Sequence, residues 1–284
     1  MYLKDIKSVF HKELDKLYSK EEVASFFYML IEHYLGLERF ILAIDPNIII
    51  TKDEESPLFD ALSKLKLEQP IQYILGKAHF MDLDFVVDEN VLIPRPETEE
   101  LVRWILDDIK DKQSTVKILD IGTGSGCIAI SLAKNSQGAK VFALDISEKA
   151  LTVAKQNAIN NEVVIEFIQE DILNIEALPF NFDIIVSNPP YVRDLEKLEM
   201  KGNVLKHEPE LALFVSDENP LIFYKKITQV AANHLTKEGS LYFEINQYLG
   251  KETALLLEKN DFSDIELRQD IYGNKRMLKG IKIN

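Results

Sequence analysis

The run Asn188-Pro189-Pro190-Tyr191 sets an amide side chain, two rings and a phenol directly after the apolar stretch Phe182 to Ser187. Proline fixes φ and removes a backbone N–H, so the pair leaves a rigid carbonyl as an acceptor. Asn188 adds a side-chain carbonyl. Two such acceptors can take the two hydrogens of a planar NH₂ group while the Tyr191 ring lies against its π face. The target that fits is a conjugated nitrogen, either an amide or an exocyclic amine. Its lone pair is delocalised, so catalysis must align and polarise the nitrogen toward an electrophile rather than merely deprotonate it. The plainer account is a chain break after a strand, with Tyr191 as a lid over the core. The position of the whole tetrapeptide, after a strand and downstream of a glycine loop, favours chemistry.

That glycine loop is Gly122-Thr123-Gly124-Ser125-Gly126, which follows the strand-like run Val116 to Ile121 and opens at once into a helical pattern. Glycines lack the Cβ that would keep a ligand away from the backbone, and the free N–H groups of a new helix favour an anionic moiety. A dinucleotide fingerprint would put glycine or alanine next, but the residue is Cys127, and no Gly-Lys-Ser/Thr follows to make a phosphate loop. Roughly twenty residues on, the next strand ends at Asp145, where a carboxylate can accept both hydroxyls of a ribose. Taken singly, the glycines read as a tight turn and Asp145 as a helix cap. In one βαβ unit they point to an adenosine ligand. Cys127 sits at a helix start that would lower its pKa, yet no histidine-bearing motif accompanies it, and it is assigned to packing.

The elements that must position these residues are readable in outline. From Lys140 onward, strand-like runs (Lys140 to Leu144, Val163 to Ile168, Asp183 to Val186, Ser240 to Ile245) alternate with helical ones, the signature of a doubly wound α/β sheet. Runs Ile265 to Gln269 and Arg276 to Ile281 form an expected closing hairpin through Ile271-Tyr272-Gly273-Asn274. In such sheets ligands sit outside the carboxyl ends of the strands, so the glycine loop and the tetrapeptide should share one crevice. Upstream, Leu3, Ile6, Phe10, Leu14 and Leu17 stripe one helical face. Ser19-Lys20-Glu21-Glu22 and Thr51-Lys52-Asp53-Glu54 read as capping boxes of two further helices. The stripe Phe26, Phe27, Tyr34 reads as core rather than as a partner groove. Phe80 to Val87 and Val91 to Ile93, separated by Asp88-Glu89-Asn90, suggest a hairpin before the helix opened by Pro96-Glu97-Thr98-Glu99.

Composition narrows the function classes. The chain has 284 residues with 46% hydrophobic and 28% charged, enough for roughly two folded domains and against wholesale disorder. With 33 basic and 47 acidic side chains the formal charge is −14, which opposes non-specific binding to a phosphate backbone. One cysteine and five scattered histidines offer neither a disulfide framework nor metal-ligand spacing, so no metal is expected and a reducing compartment fits. No apolar run approaches a membrane span, and the N-terminus carries charges where a secretory core should begin, so a cytoplasmic protein is expected.

Asp120 to Gly126, Asp145 and Asn188 to Tyr191 together resemble the class I S-adenosylmethionine-dependent methyltransferases, in which the Asn-Pro-Pro-Tyr form accompanies methylation of amide or adenine nitrogens. Over almost its full length the chain more closely resembles the peptide chain release factor glutamine methyltransferases, the HemK or PrmC family. That likeness rests further on Gln72-Tyr73-Ile74-Leu75-Gly76, on Leu92-Ile93-Pro94-Arg95-Pro96-Glu97-Thr98-Glu99, on Glu208-Pro209 before Leu211-Ala212-Leu213, and on the helical first domain. The resemblance implies a Rossmann-like domain with a mixed seven-stranded sheet over residues 96–284, preceded by an all-helical substrate-recognition domain at 1–77 and a β-hairpin linker at 78–95. It implies methyl transfer from S-adenosyl-L-methionine to the side-chain amide nitrogen of the glutamine in the Gly-Gly-Gln motif of class I release factors, by a monomer without stable nucleic-acid or membrane binding. Glutamine methylation of a large-subunit ribosomal protein and adenine-amine methylation of nucleic acid are the alternatives within the same chemistry. Gly122, Thr123, Gly124, Ser125 and Gly126 would line the cofactor, Asp145 would hold its ribose, and Asn188 would touch both cofactor and glutamine. Pro189, Pro190 and Tyr191 would bind the amide. Ile172 stands after Asp171 where the family often has an aromatic residue near the adenine, and His207 stands where an aromatic is more usual; as a lone histidine it reads as an exposed loop residue. Arg95 would either reach a ligand carboxylate or pair with Glu97 or Glu99.

Overall fold

The structure, a computed structural model, describes residues 1–112, 115–136, 138–200 and 202–283. The chain divides into two compact units, residues 1–77 with 201–207 and residues 78–200 with 208–284.

The first unit is helical: α1 Leu3–Leu14, α2 Lys20–Leu35, α3 Ile41–Ile44, α4 Lys52–Lys66, α5 Ile71–Leu75 and, from far along the chain, α9 Gly202–His207. Thr51 closes a full capping box with Glu54, whereas at Ser19 only the side-chain half forms, accepting from the Glu22 backbone N–H. Gly36, at φ 65°, ends α2 in the left-handed region, where a residue without Cβ is unstrained. Of the expected stripe, Leu3, Ile6, Phe10 and Leu14 pack with Phe26, Phe27, Leu30, Leu58, Leu62 and Leu65 into one core, whereas Leu17 lies beyond the end of α1 and is exposed. Phe26 and Phe27 are therefore core residues, whereas Tyr34 is exposed rather than core, its hydroxyl 3.5 Å from the Ile74 carbonyl.

In the second unit a short hairpin, β1 Lys77–Phe80 and β2 Leu83–Val86, precedes α6 Pro96–Ile109. It turns at Met81-Asp82, not at Asp88-Glu89-Asn90. Both turn residues have positive φ, 51° and 60°, the backbone a two-residue hairpin needs, but neither is the Asn or Gly that would have signalled it. Asp88 still makes a local turn, and Val91 to Ile93 follow as bend and coil rather than strand.

The sheet has seven strands in the order β10-β11-β9-β6-β3-β4-β5. These are β3 Lys117–Ile121, β4 Lys140–Asp145, β5 Ile165–Gln169, β6 Phe182–Ser187, β9 Leu235–Glu244, β10 Phe262–Gln269 and β11 Lys275–Lys282, with β7 Val192–Arg193 and β8 Phe214–Val215 forming a separate two-stranded ribbon. Strands β5, β4, β3, β6 and β9 run parallel, while β11 is antiparallel to both β9 and β10, so the sheet is mixed. Helices α7 Cys127–Asn135, α8 Glu148–Asn160, α10 Ile222–His234 and α11 Gly250–Glu258 complete the layers. Two apolar clusters line the sheet, one containing Trp104, Ile118, Ile130 and Tyr242, the other Leu119, Phe182, Tyr224 and Phe243. Strand β9 starts five residues before the expected Ser240, because the turn-like Thr236-Lys237-Glu238-Gly239 is absorbed as a register irregularity, with Glu238 at φ 61°.

Strand order reverses between β3 and β6. Ile121 and Ser187 are register partners there, and the Ser187 hydroxyl donates to the Ile121 carbonyl at 2.7 Å. The glycine loop leaving β3 and the Asn-Pro-Pro-Tyr turn leaving β6 thus emerge side by side at the switch point, where open α/β sheets hold their ligands.

Candidate active site at the switch point

On the β3 side, the turn is built from backbone. Gly122 N and Thr123 N donate to the Leu144 carbonyl at 2.8 and 3.1 Å, and Gly126 caps α7 at φ 82°. The three glycines differ in what they permit. A Cβ at Gly126 would come within 2.9 Å of Ile130 Cδ1 and 3.2 Å of Ala154 Cβ, so this position serves helix packing. At Gly122 and Gly124 a Cβ would meet nothing within 4 Å, although φ is 76° and 55°. Those two positions keep open space above the backbone, as a bound ligand requires.

Beneath the turn, Thr123 donates its hydroxyl to Asp120 Oδ2 at 2.6 Å, while Asp120 Oδ1 is buried with no hydrogen-bond partner among the described residues. Burial pushes the Asp120 carboxyl up to about 7. Asp145, at the end of β4, accepts from Gly124 N through Oδ2 and from Ser147 N through Oδ1, both at 2.9 Å. Burial raises its pKa against those two bonds. Each of its oxygens keeps a further lone pair, so the backbone contacts hold the carboxylate in place and leave acceptors for a pair of hydroxyls. The cap of α8 is Ser147, not Asp145. Ser125 is buried, and its carbonyl accepts from Asn157 Nδ2 at 2.9 Å; the same Asn157 pairs with both backbone groups of Val86, tying the loop to β2. Ile172, 7% exposed, belongs to the apolar cluster that includes Ile121 and Leu144, so only an edge of it is available to a ligand. Cys127 is held as a thiol, burial pushing it up to about 12, in keeping with a packing role.

The β6 side is built from side chains. Pro189 is buried and Asn188, Pro190 and Tyr191 are half-buried. Tyr191 donates its hydroxyl to Glu244 Oε1 at 2.9 Å, and its carbonyl accepts from Asn246 Nδ2 at 3.0 Å. Glu244, at the end of β9 and 2% exposed, also takes the Thr98 hydroxyl on Oε2 at 2.6 Å. Asn188 Nδ2 lies 3.4 Å from Thr98 Oγ1, and Arg276 Nη1 lies 3.4 Å from the Tyr191 hydroxyl oxygen. Burial raises the Glu244 pKa, opposed by the Thr98 and Tyr191 hydrogen bonds and by Arg276. Burial likewise raises the Tyr191 phenol, reinforced by the Glu244 charge, so it stays protonated. A narrow cleft of about 50 Å³ opens among Asn188, Tyr191, Glu244, Arg95, Leu92 and Leu213. A larger hollow of about 670 Å³ lies at the amino ends of the strands, among Asp183, Lys237, Gly239 and Lys282. It holds none of the motif residues and is on the wrong edge of a parallel sheet to be the site.

Arg95 pairs with neither Glu97 nor Glu99. Its guanidinium meets Glu208 Oε1 at 2.5 Å, and Glu208 Oε2 accepts from Ile93 N at 3.3 Å. Glu99 instead pairs with Arg103 at 3.2 Å and accepts from Met81 N at 2.8 Å. His207 falls in the helical unit, at the end of α9, with Nε2 3.0 Å from the Leu67 carbonyl. It is half-buried there rather than exposed.

Thr98, Asn157, Glu244, Asn246 and Arg276 were not anticipated as part of the site. Glu244 carried a usable signal, a charge closing the apolar run Leu241 to Phe243 at a carboxyl strand end. The others carried none: Thr98 looks like a helix-opening residue, and Arg276 like any strand charge.

A central parallel β3 ending in an open glycine turn, a carboxylate at the end of the neighbouring β4, and an Asn-Pro-Pro-Tyr turn across the switch point define a class I S-adenosylmethionine-dependent methyltransferase. The comparisons with known proteins carry this further. Residues 101–211 match the family model described as "Methyltransferase small domain", and residues 10–76 match the "PrmC N-terminal domain". The chain is 53% identical to the release factor glutamine methyltransferase of Flavobacterium psychrophilum over 98% of this chain and 99% of that one. It is 42% identical to the enzyme of the same name from Bacteroides thetaiotaomicron over 96% and 98%. Among solved structures, the 16S rRNA N2 G1207 methyltransferase of T. thermophilus, in complex with AdoMet and guanosine, has a TM-score of 0.53 at 18% identity, covering 72% of this chain and 49% of that one, a likeness of fold alone. The chain belongs to the release factor glutamine methyltransferase family. It is a methyltransferase, and S-adenosyl-L-methionine is its methyl donor.

Proposed function

We propose that this chain methylates the side-chain amide nitrogen of the glutamine in the Gly-Gly-Gln motif of class I peptide chain release factors. The observation that carries the reading is the register pair Ile121–Ser187, which sets the open glycine turn and the Asn-Pro-Pro-Tyr turn next to each other at one crevice. The donor fits the β3 side: Gly122 and Gly124 leave its path clear, and Asp145 offers acceptors for the ribose hydroxyls. Thr123, Ser125, Gly126 and the edge of Ile172 complete that wall. When bound, S-adenosyl-L-methionine supplies an electrophilic methyl carbon on a sulfonium.

The residues of the β6 side act on the acceptor. Among the described residues no donor meets Asn188 Oδ1, so it can take one amide hydrogen of the glutamine while a backbone carbonyl of Pro189-Pro190 takes the other. Tyr191, its hydroxyl pinned on Glu244, can present its ring to the flat face of the carboxamide. Drawing electron density from both N–H bonds restores nucleophilic character to a lone pair that resonance would otherwise hold, and the fixed plane aims it across the crevice.

Residues 1–77 form the domain we assign to recognition of the protein substrate, 78–95 the linking hairpin, and 96–284 the methyltransferase domain. Among the described residues no helix is long and apolar enough to cross a membrane. The charge of −14 opposes stable nucleic-acid binding, and a cytoplasmic monomer is proposed with it.

Mass spectrometry of a class I release factor incubated with the enzyme and S-adenosyl-L-methionine tests the assignment. One added methyl mass on the Gly-Gly-Gln peptide is expected. An unmodified release factor, with methyl instead on a ribosomal protein or on nucleic acid, would overturn it.

A further inference from the structure

Two side chains assigned to the substrate amide, Asn188 and Tyr191, converge on one buried carboxylate. Glu244 takes the Tyr191 hydroxyl on Oε1 at 2.9 Å and the Thr98 hydroxyl on Oε2 at 2.6 Å. The Thr98 hydroxyl donates to Glu244, so its single hydrogen is spent there. Its oxygen then has only lone pairs left. The group of Asn188 that approaches it, at 3.4 Å, must therefore be the NH₂ end. With that end fixed toward Thr98, Oδ1 is turned away as a free acceptor. The opposite rotamer would set two acceptors against each other and present two hydrogens to an amide whose own hydrogens need acceptors.

We propose that Thr98 is a positioning residue which, polarised by Glu244, sets the orientation of the Asn188 amide and so makes that side chain an acceptor for the glutamine NH₂. The proposal rests on the reading of Asn188 as the substrate-amide acceptor. It requires no contact of Thr98 with either ligand. Both Thr98 and Glu244 are 2% exposed, so water does not compete for these bonds. Thr98 is supplied by the first turn of α6, where Pro96 at the first helical position and the Thr98 N–H to Arg95 carbonyl bond, 3.1 Å, fix the backbone. Glu244 is supplied by the end of β9, with its own carbonyl accepting from the buried Tyr224 hydroxyl at 3.2 Å. The relay is therefore held at both ends by regular structure, as an orienting device needs to be.

The test compares Thr98→Val, which keeps the shape and removes the hydroxyl, with Thr98→Ser, which keeps the hydroxyl, using a release factor as methyl acceptor. Losing one orienting hydrogen bond should lower kcat for Thr98→Val about tenfold. Its S-adenosyl-L-methionine affinity by calorimetry should stay within about twofold, and Thr98→Ser should recover kcat to within about threefold of wild type. A Thr98→Val enzyme with wild-type kcat, or a serine variant as slow as valine, would overturn the proposal, the latter because it would point to packing. Should the valine variant not fold, Glu244→Gln serves instead. One end of the new amide must be NH₂, so Thr98 or Tyr191 loses its acceptor, and kcat should fall with cofactor affinity kept; an unchanged kcat would count against the relay. Asn188→Ala separates the two levels. If it is inactive while Thr98→Val is unimpaired, only the relay fails; if Asn188→Ala is fully active, the reading of the site itself fails.

Discussion

The two sides of the crevice are made by different means. The β3 side is a single stretch of chain whose backbone does the work. Its N–H groups are absorbed by the Leu144 carbonyl and by Asp145, and two of its glycines leave open space. The β6 side is assembled from side chains at positions 98, 188, 191, 244, 246 and 276, brought together by α6, β6, β9 and β11. A backbone cradle tolerates a varied ligand conformation but not an added Cβ. A side-chain network tolerates shape changes but depends on the polarity of each partner. Substitutions on the first side should therefore show mainly in cofactor binding and stability, and on the second mainly in turnover.

The largest effect expected is that of Asn188→Ala. Removing the acceptor should lower kcat about a thousandfold, the scale seen when a donor to a developing charge is deleted, with much smaller change in thermal stability. Methyl-transfer kinetics with a release factor check this. A variant that lost cofactor binding in proportion would erase the contrast between the two sides.

On the other side, Asp145→Ala removes the acceptor for Gly124 N and Ser147 N as well as those for the ribose. Bonds to a charged group are worth about 1.5–3 kcal/mol each, so cofactor affinity should fall about a hundredfold by calorimetry, with kcat at saturating cofactor nearly retained. The glycines should divide in the same sense. Gly126→Ala meets Ile130 Cδ1 at 2.9 Å at a φ of 82° and should cost about 2 kcal/mol in denaturant unfolding. Gly124→Ala, at φ 55° in open space, should cost about 1 kcal/mol yet lower cofactor affinity more than its stability loss suggests.

The smallest effect concerns pH. In the unfolded chain Asp120 ionises near its ordinary 3.8, whereas in the fold burial keeps its proton up to about 7. Between those values the folded state holds a proton that the unfolded state has lost. The stability contributed by this group is full below the lower value and is lost as pH rises through the upper one. From pH 5 to pH 8 the thermal midpoint of the wild type should therefore fall by a few degrees relative to Asp120→Asn. Parallel midpoints for the two proteins would show that Asp120 is ionised throughout.

The same contrast decides what was legible in the sequence. Gly122 to Gly126, Asp145 and Asn188 to Tyr191 could be read because each motif is local and each has a backbone reason for its residue types. The alternation of strands and helices was equally local, and the expected strands β3, β4, β5, β6, β10 and β11 all exist, with no end displaced by more than three residues. Thr98 and Glu244 could not be paired from sequence, since their contact spans 146 positions and depends on α6 lying against the end of β9. Arg95 was misjudged for the same reason: Glu97 and Glu99 were near in sequence, while its partner Glu208 lies 113 positions away. The hairpin turn at Met81-Asp82 was hidden because its positive φ values are enforced by packing, with Met81 buried, rather than by glycine or asparagine.

The most direct test of the shared crevice is a crystal structure of the enzyme with S-adenosylhomocysteine and a Gly-Gly-Gln peptide. The glutamine carboxamide should lie with its NH₂ between Asn188 Oδ1 and a carbonyl of Pro189-Pro190, and the ribose hydroxyls should rest on Asp145. A glutamine seated elsewhere, with Asn188 turned so that its NH₂ faces the peptide, would contradict the account.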